Sequence, residues 1–223
     1  MSDTKLKLEK VNITLDSKVV LDNVNLEVSD GDIVSLMGSS ASGKTSLIRS
    51  IAGFHNITSG SIYIDEKIVD DSKKREDVSK RNVGVIFQDL ALFPHLTVRE
   101  NICFGLNTLS KKQQFDRAEK LEEILNIVDI KHRYPDQISG GQQQRVAIAR
   151  AIAPGPKLLL LDEPFSALDY ELKEGLMNDI KKLIKSEKIT AILITHSAEE
   201  AFKMSDKIAF ISENTIMQYA NPY

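Results

Sequence analysis

Residues 33–54 read IVSLMGSSASGKTSLIRSIAGF. The first five, Ile33 to Met37, form an apolar run without polar alternation, as in a strand buried on both faces. The next eight, Gly38 to Thr45, fit G-x-x-x-x-G-K-[ST], and a helical run opens at Thr45. A strand, a glycine loop and a helix in that order place backbone N–H groups around phosphate oxygens. Gly38 and Gly43 give the backbone the freedom such a turn needs. Ser39, Ser40, Ala41 and Ser42 fill the loop, and Ser46 follows it into the helix. Lys44 can reach β- and γ-phosphates, the Thr45 hydroxyl can ligate Mg²⁺, and the helix N-terminus adds its positive end. A plain glycine–serine turn before a helix would need neither the lysine nor the hydroxyl in register.

Working outward, the same kind of run recurs at VGVIF (83–87), KLLLL (157–161), AILIT (191–195) and KIAFI (207–211). Amphipathic helical stretches lie between several of these runs, so the class is α/β with a parallel sheet covered by helices. The first part differs. KLKLEKVNITL and KVVLDNVNLEV alternate polar with apolar and are followed by the turn signal SDGD, which predicts a small N-terminal antiparallel β-region. GSIYIDEKIV reads as another hairpin. From about Asp89 to Arg150 no strand run occurs. Thr97 and Glu100 form a capping box there, and a charged helix follows in SKKQQFDRAEKLEEILNIV. The expectation is one domain over 1–223, with a helical subdomain over about 89–150 inserted in the α/β core.

Composition narrows the function classes. A chain of 223 residues with net charge −3 offers no basic surface for nucleic acid, and runs such as DSKKRED are interleaved with acids and read as solvated faces. The single cysteine, Cys103, has no partner for an internal disulfide, which fits a reducing compartment. The charged start MSDTKLKLEK has no apolar core of a secretory signal, and no apolar run approaches a membrane span. If the protein works at a membrane, another chain provides the membrane part.

LLLLDEP puts Asp162 and Glu163 at the end of a buried strand, where open α/β sheets line their ligand crevice. Neighbouring strand residues point opposite ways, so the two acids need not share a task. Asp162 is the candidate Mg²⁺ partner, directly or at one remove, and Glu163 the candidate general base acting on an attacking water. His196 follows AILIT at another strand end, fixed by a capping box of Ser197 and Glu200. Gln88 follows VGVIF in a similar position, where its amide could ligate Mg²⁺ or hold a water. For both, a structural role is the plain alternative.

A second glycine-rich stretch, ISGGQQQRVAIARAI from Ile138, also feeds a helix N-terminus but carries no lysine. Ser139 and Gln142 satisfy an ordinary capping box. Taken together, GSSASGKT, VIFQD, ISGGQQQR, LLLLDEP, SALD and THS resemble the ATP-binding subunits of ABC transporters, in the same order and over nearly the whole chain. The resemblance implies a P-loop NTPase core and the substrate ATP with Mg²⁺. It makes Gln88 the Q-loop residue, Ser139, Gly140, Gly141 and Gln142 the signature, Ser166 to Asp169 the D-loop, and His196 the switch histidine. It also implies a head-to-tail dimer, of identical chains or with a paralogous ATPase chain. There the signature of one subunit closes over the γ-phosphate held by the other's P-loop. That is why the second cradle needs no lysine: it completes a site that already has one. Binding of ATP closes the dimer, and hydrolysis opens it.

Long stretches such as VIFQDLALFPHLTVRENICFGL look like the importer subgroup serving ferric iron, polyamines, sugars and sulfate, with ferric iron the nearest in look. The resemblance thus implies two transmembrane permease subunits, indirectly an extracytoplasmic solute-binding protein, and a peripheral position on the cytoplasmic face of the plasma membrane. Many similar subunits carry a C-terminal regulatory β-domain, and this sequence stops at QYANPY, near where one would start. A soluble ABC ATPase of DNA repair or ribosomes is a less favoured alternative, because neither tandem cassettes nor long coiled-coil insertions are present. A P-loop kinase is disfavoured by the signature. One departure stands out. Relatives usually stack adenine on an aromatic residue where this chain has Leu15, and residues 1–53 contain no Phe, Tyr or Trp. Leu15 either faces the base without π-stacking or is a core strand residue.

Overall fold

The strands sort into two sheets according to their burial pattern. The computed structural model describes residues 4–166 and 170–222. β1 (Thr4–Leu15) and β2 (Lys18–Ser29) alternate, so only one face of each is fully buried. They join through Asp16 and Ser17, at φ 48° and 63°, the two left-handed residues of a tight hairpin turn. With β4 (Ser59–Ile64) and β5 (Lys67–Asp70) they make a four-stranded antiparallel sheet in the order β2-β1-β4-β5.

The second sheet has the order β10-β9-β3-β8-β7-β6. β3 (Ile33–Gly38), β6 (Val83–Ile86), β7 (Leu158–Asp162), β8 (Thr190–Ile194) and β9 (Lys207–Ser212) run parallel, and β10 (Thr215–Ala220) is an antiparallel edge. Every residue of β7 and β8 is buried. Two separate cores explain why these strands lack polar alternation. Leu158 and Leu160 point to the core shared with the first sheet and α1 (Lys44–Ala52), whose Leu47, Ile48 and Ile51 fill it. Leu159 and Leu161 point to the opposite core, built with the helices.

Between Ile86 and Leu158 the described residues contain helices and no strand: α2 (Val98–Cys103), α3 (Lys111–Ile124) and α4 (Gly140–Ile152), with short 3₁₀ turns. Each starts on a reciprocal capping box, Thr97–Glu100, Ser110–Gln113 and Ser139–Gln142. Val98, Ile102, Leu121, Val146 and Ile148 pack into the same core as Ile86 and Leu159, so the helical stretch is joined to the sheet by one continuous apolar cluster. α5 (Tyr170–Ser186) and α6 (Ala198–Met204) complete that side.

Two features depart from the expectations. β10 carries no apolar run, because an outer strand with no fully buried residue has no face to encode. Ser197 caps α6 by accepting from Glu200 N, but the Glu200 carboxylate does not reach back. It is buried, hydrogen-bonded to Thr195 Oγ1 and paired with Lys173. Of the D-loop stretch Ser166 to Asp169, Ser166 is described, and Ala167, Leu168 and Asp169 lie outside the described residues.

The far end of α1 is closed by one buried side chain. Arg81 donates through Nη1 to the Ser50 and Ile51 carbonyls, each at 2.9 Å, through Nε to Glu76 O at 3.1 Å, and pairs with Asp70 at 3.4 Å. Ser50 and Ile51 belong to the last turn of the helix, where the C-cap Gly53 N–H reaches the Ser50 carbonyl at 3.1 Å and Arg81 supplies the side-chain donor to both. Arg81→Met takes the buried guanidinium from the Asp70 carboxylate, which keeps only Ser72 N and the more distant Arg75, and from the Ser50 and Ile51 carbonyls. It should lower unfolding free energy by about 3 kcal/mol, with part of the loss restored in the Arg81→Met, Asp70→Asn double variant. Urea denaturation measures both; a loss under about 1 kcal/mol in the single variant contradicts this role.

Candidate active site at the rim of the parallel sheet

The site forms at the C-terminal ends of β3, β7 and β8. Asp162 pairs with Ile194 in the β7–β8 register, and Leu36 pairs with Ile194 in the β3–β8 register. β7 and β8 therefore end at the same level while β3 runs on to Gly38 beside β9, and an open groove of about 430 Å³ lies on that rim. Residues 40–46 form its floor, and Glu163 and His196 line it.

The loop from Gly38 to Gly43 is tightly fitted. Gly38 has φ 152°, and a Cβ there would collide with the Ile211 carbonyl oxygen of β9. Gly43, at φ 95°, is the N-cap of α1, and no side chain caps that helix. The N–H groups that open α1 thus have no side-chain acceptor and face the groove with the positive end of the helix. Lys44 folds back over the loop: Nζ donates to Gly38 O at 3.0 Å, Ser39 O at 2.7 Å and Ser42 Oγ at 3.3 Å. Burial pushes its pKa down, while the charges of Glu163 and Asp162 push it up.

Asp162 is 5% exposed and sits 3.3 Å from Thr45 Oγ1, which donates to its Oδ1. Burial raises its pKa; the Thr45 hydrogen bond lowers it, and the neighbouring Glu163 charge raises it further. Glu163 takes φ 50°, a left-handed backbone that a non-glycine residue adopts only under constraint. The constraint is visible: its N–H donates to Ile194 O at 3.1 Å, and its carbonyl accepts from Ser166 N at 3.3 Å and Ser166 Oγ at 3.1 Å. This turn swings the carboxylate to His196, whose Nε2 lies 2.7 Å from Glu163 Oε1. The His196 turn is itself braced, since Ser197 N donates to Thr195 Oγ1 at 3.0 Å.

Mg²⁺ fits this donor set. Among the described residues no cluster of three His, Cys, Asp or Glu side chains could cage a metal. What Thr45 and Asp162 offer is one hydroxyl and one carboxylate beside a phosphate loop, the sparse oxygen set that Mg²⁺ uses when phosphates and waters supply the rest.

The other expected residues lie elsewhere. Gln88 is exposed, in the turn after β6, and is not among the groove's lining residues. Ser139, Gly140, Gly141 and Gln142 open α4; Ser139 and Gly140 are exposed, and none of the four lines this groove. Leu15 is partly buried against the core of the first sheet, and the groove wall is instead formed by Lys18, Val19 and Val20 of β2. Val19 is half-exposed. Asn214, in the turn between β9 and β10, also lines the groove, held there by its carbonyl accepting from Asp22 N at 2.8 Å. Sequence reasoning missed these four because none belongs to a local motif; the hairpin register and the β9–β10 turn bring them in.

A model of the ABC transporter family matches residues 21–166. The spermidine/putrescine import ATP-binding protein PotA of Bacillus cereus is 40% identical over 97% of this chain. The Fe(3+) ions import ATP-binding protein FbpC of Fusobacterium nucleatum is 39% identical over 97% of it. The chain spans 66% of the length of the former and 58% of the latter. Among solved structures, the dimeric bacterial ABC transporter cassette MJ0796 superposes with a TM-score of 0.86 at 31% identity, covering 98% of this chain and 99% of that one. CbiO1 from Clostridium perfringens gives a TM-score of 0.90 at 27% identity, with 99% and 89% covered.

The electrostatics of Asp162 generate a test. Its carboxyl pKa is higher folded than unfolded, so the stability it contributes is fully present below the unfolded value of about 3.9 and is lost as pH rises through the raised folded value. Asp162→Asn should therefore be more stable than wild type at neutral pH by about 0.5–2 kcal/mol, and the two should converge below about pH 3.9. Thermal unfolding against pH, without nucleotide or metal, reads this; equal stability at pH 7 contradicts it.

Proposed function

The chain belongs to the ABC transporter family, and from that premise we propose that it is the ATP-hydrolysing subunit of an importer. It works as a head-to-tail dimer on the cytoplasmic face of the membrane and drives uptake through separate permease chains, fed by an extracytoplasmic solute-binding protein. No helix among the described residues is long and apolar enough to cross a membrane. The observation that carries the dimer is the split between the two glycine-rich turns. The Lys44 loop lines a groove, while Ser139 to Gln142 stand outside it, partly exposed at a helix start. A two-fold pairing lets each turn complete the other chain's site, once in each direction. In dimeric MJ0796 structures, one is described as a post-hydrolysis state bound to ADP and Pi.

In this reading the triphosphate lies along residues 40–46, and its oxygens replace the Gly38 and Ser39 carbonyls as partners of Lys44. Thr45 and Asp162 would hold Mg²⁺, which would neutralise phosphate charge. Glu163 accepts a proton from, and orients, the water that attacks the γ-phosphorus. His196 Nε2 holds Glu163 Oε1, so the base keeps one orientation as charge develops. Gln88 serves as a further water or metal contact. The Ser139 hydroxyl and the α4 N-terminus of the second chain close over the γ-phosphate. Lys18, Val19, Val20 and Asn214, with Leu15 behind them, bound the end of the groove left for the base. For the cargo, polyamine and ferric iron stand level, as the two importer relatives do at 40% and 39% identity.

Glu163→Gln should bind MgATP as wild type does, turn over about 100-fold more slowly or worse, and dimerise in ATP. Turnover near that of wild type removes Glu163 from the role of base. The shared site is tested by mixing chains. Ser139→Arg should impair hydrolysis in the partner's site and leave its own loop able to bind nucleotide; Lys44→Ala should do the reverse. A mixed dimer then has one site with both defects and one with neither, so activity absent from each variant alone should return on mixing. Binding stoichiometry of one nucleotide per mixed dimer, with no return of activity, would mean that the two sites fire only together. No return of activity with two bound nucleotides would sink the shared site.

A further inference from the structure

The turn that carries Gln88 is held in an unusual backbone state. Leu90 and Ala91 are successive non-glycine residues at φ 57° and 44°. L-residues visit this region singly and under constraint. Within the turn, Leu90 N donates to Phe87 O at 3.0 Å and Ala91 N to Asp89 O at 2.7 Å. Leu90 also packs against the helix-side core, and one guanidinium hydrogen-bonds the turn from outside. Arg150 donates through Nη2 to Leu90 O at 2.8 Å and through Nη1 to Ala91 O at 2.6 Å. Its Cζ also lies 5.2 Å from the centre of the Phe93 ring. The next part of the loop is riveted by buried Asn101, which accepts from Phe93 N and donates to the Phe93, Leu96 and Thr97 carbonyls.

On its other side the turn meets the phosphate-loop helix. Phe87 packs edge-on against Phe54, just beyond the end of α1, with ring centres 5.6 Å apart. Gln88 therefore sits between a ring anchored on α1 and two carbonyls anchored on α4. Arg150 is near the C-terminal end of α4, and Ser139 caps its N-terminus. At 1.5 Å per residue, about 15 Å of hydrogen-bonded helix separates them.

We propose that Arg150 is a positioning residue: its two-pronged contact holds Leu90 and Ala91 in the left-handed state, and so fixes Gln88 to the same rigid helix that presents Ser139. The proposal rests on the reading that Gln88 and Ser139 both serve the nucleotide. Its chemistry is specific. A guanidinium is a planar fork that can meet two carbonyls at once, while a lysine ammonium is a point charge with no such fork. Without the fork, Leu90 and Ala91 relax toward the ordinary regions and Gln88 leaves its place. Glycine takes the left-handed region freely, so glycines at 90 and 91 remove the need for the fork.

The test uses the full chain with MgATP in four forms: wild type, Arg150→Met, Arg150→Lys, and Arg150→Met combined with Leu90→Gly and Ala91→Gly. The proposal expects both single variants to bind MgATP within roughly 3-fold of wild type and to lose about 10–100-fold in kcat. It expects faster hydrogen exchange at the amides of residues 90 and 91 in both. The glycine pair should bring kcat back to within roughly 3-fold of wild type, which a loss of packing alone would not allow. Unchanged exchange and unchanged kcat in Arg150→Lys overturn it, and so does a kcat loss that the glycine pair leaves in place. Should Arg150→Met fail to fold, Arg150→Lys keeps an aliphatic stem over Phe93 and reads exchange and kcat by itself. A wild-type chain that binds but never hydrolyses ATP defeats the ATPase reading instead, while exchange at 90 and 91 still reports on Arg150.

Discussion

The site depends on strand register. β3, β7 and β8 run parallel, and the pairing of Ile194 with both Leu36 and Asp162 brings their C-terminal ends to one rim, with β3 running two residues further. Because the three are parallel, their C-terminal ends share one edge, so segments far apart in the chain arrive at one rim without loops having to reach for each other. A slip of one residue in β7 would turn Asp162 to the opposite face and exchange the two leucine sets between the two cores. Burial of Leu158 and Leu160 on one side, and of Leu159 and Leu161 on the other, is what prevents it. The hydrophobic packing of the interior thereby sets the placement of a carboxylate at the surface of the groove.

On this rim, burial drives Lys44 and Asp162 in opposite directions, each toward its neutral form. The charges of Glu163 and Asp162 offset this for Lys44; for Asp162 the Thr45 hydroxyl does so, while Glu163 adds to the shift. The groove thus holds a cation and a carboxylate whose charged forms burial disfavours. A ligand that brings both negative oxygens and a divalent cation answers both imbalances at once, which is the electrostatic logic of a nucleotide–magnesium pair.

Much of this was readable in the sequence, and the physical reason is locality. Asp162, Glu163 and His196 stand at the ends of apolar runs that read as doubly buried strands, and Lys44 and Thr45 stand one glycine loop beyond another, so their places followed from short windows. The capping boxes of α2 and α4 were readable for the same reason, each being set within four residues. What depends on long-range contact was not readable. Lys18, Val19 and Asn214 reach the groove only through a hairpin and the β9–β10 turn. Arg81 closes α1 from 31 residues away along the chain. Glu200 was expected to complete a cap, but Lys173 of α5 and Thr195 compete for its carboxylate and take it. Leu15 shows the same limit: alignment of motifs points to it, while the hairpin puts part of it against the core.

The left-handed backbone at Glu163 has an evolutionary corollary. At φ 50° any side chain with a Cβ is held against its preference, and glycine would sit there with less strain. Thermodynamic stability and chemistry therefore pull this one position toward different residues. In a lineage that kept the fold but no longer needed turnover, the acid would be among the early losses, since its replacement by glycine relaxes the chain. Degenerate copies of this cassette should accordingly be recognisable by a glycine after the last aspartate of β7, beside a phosphate loop that still reads intact.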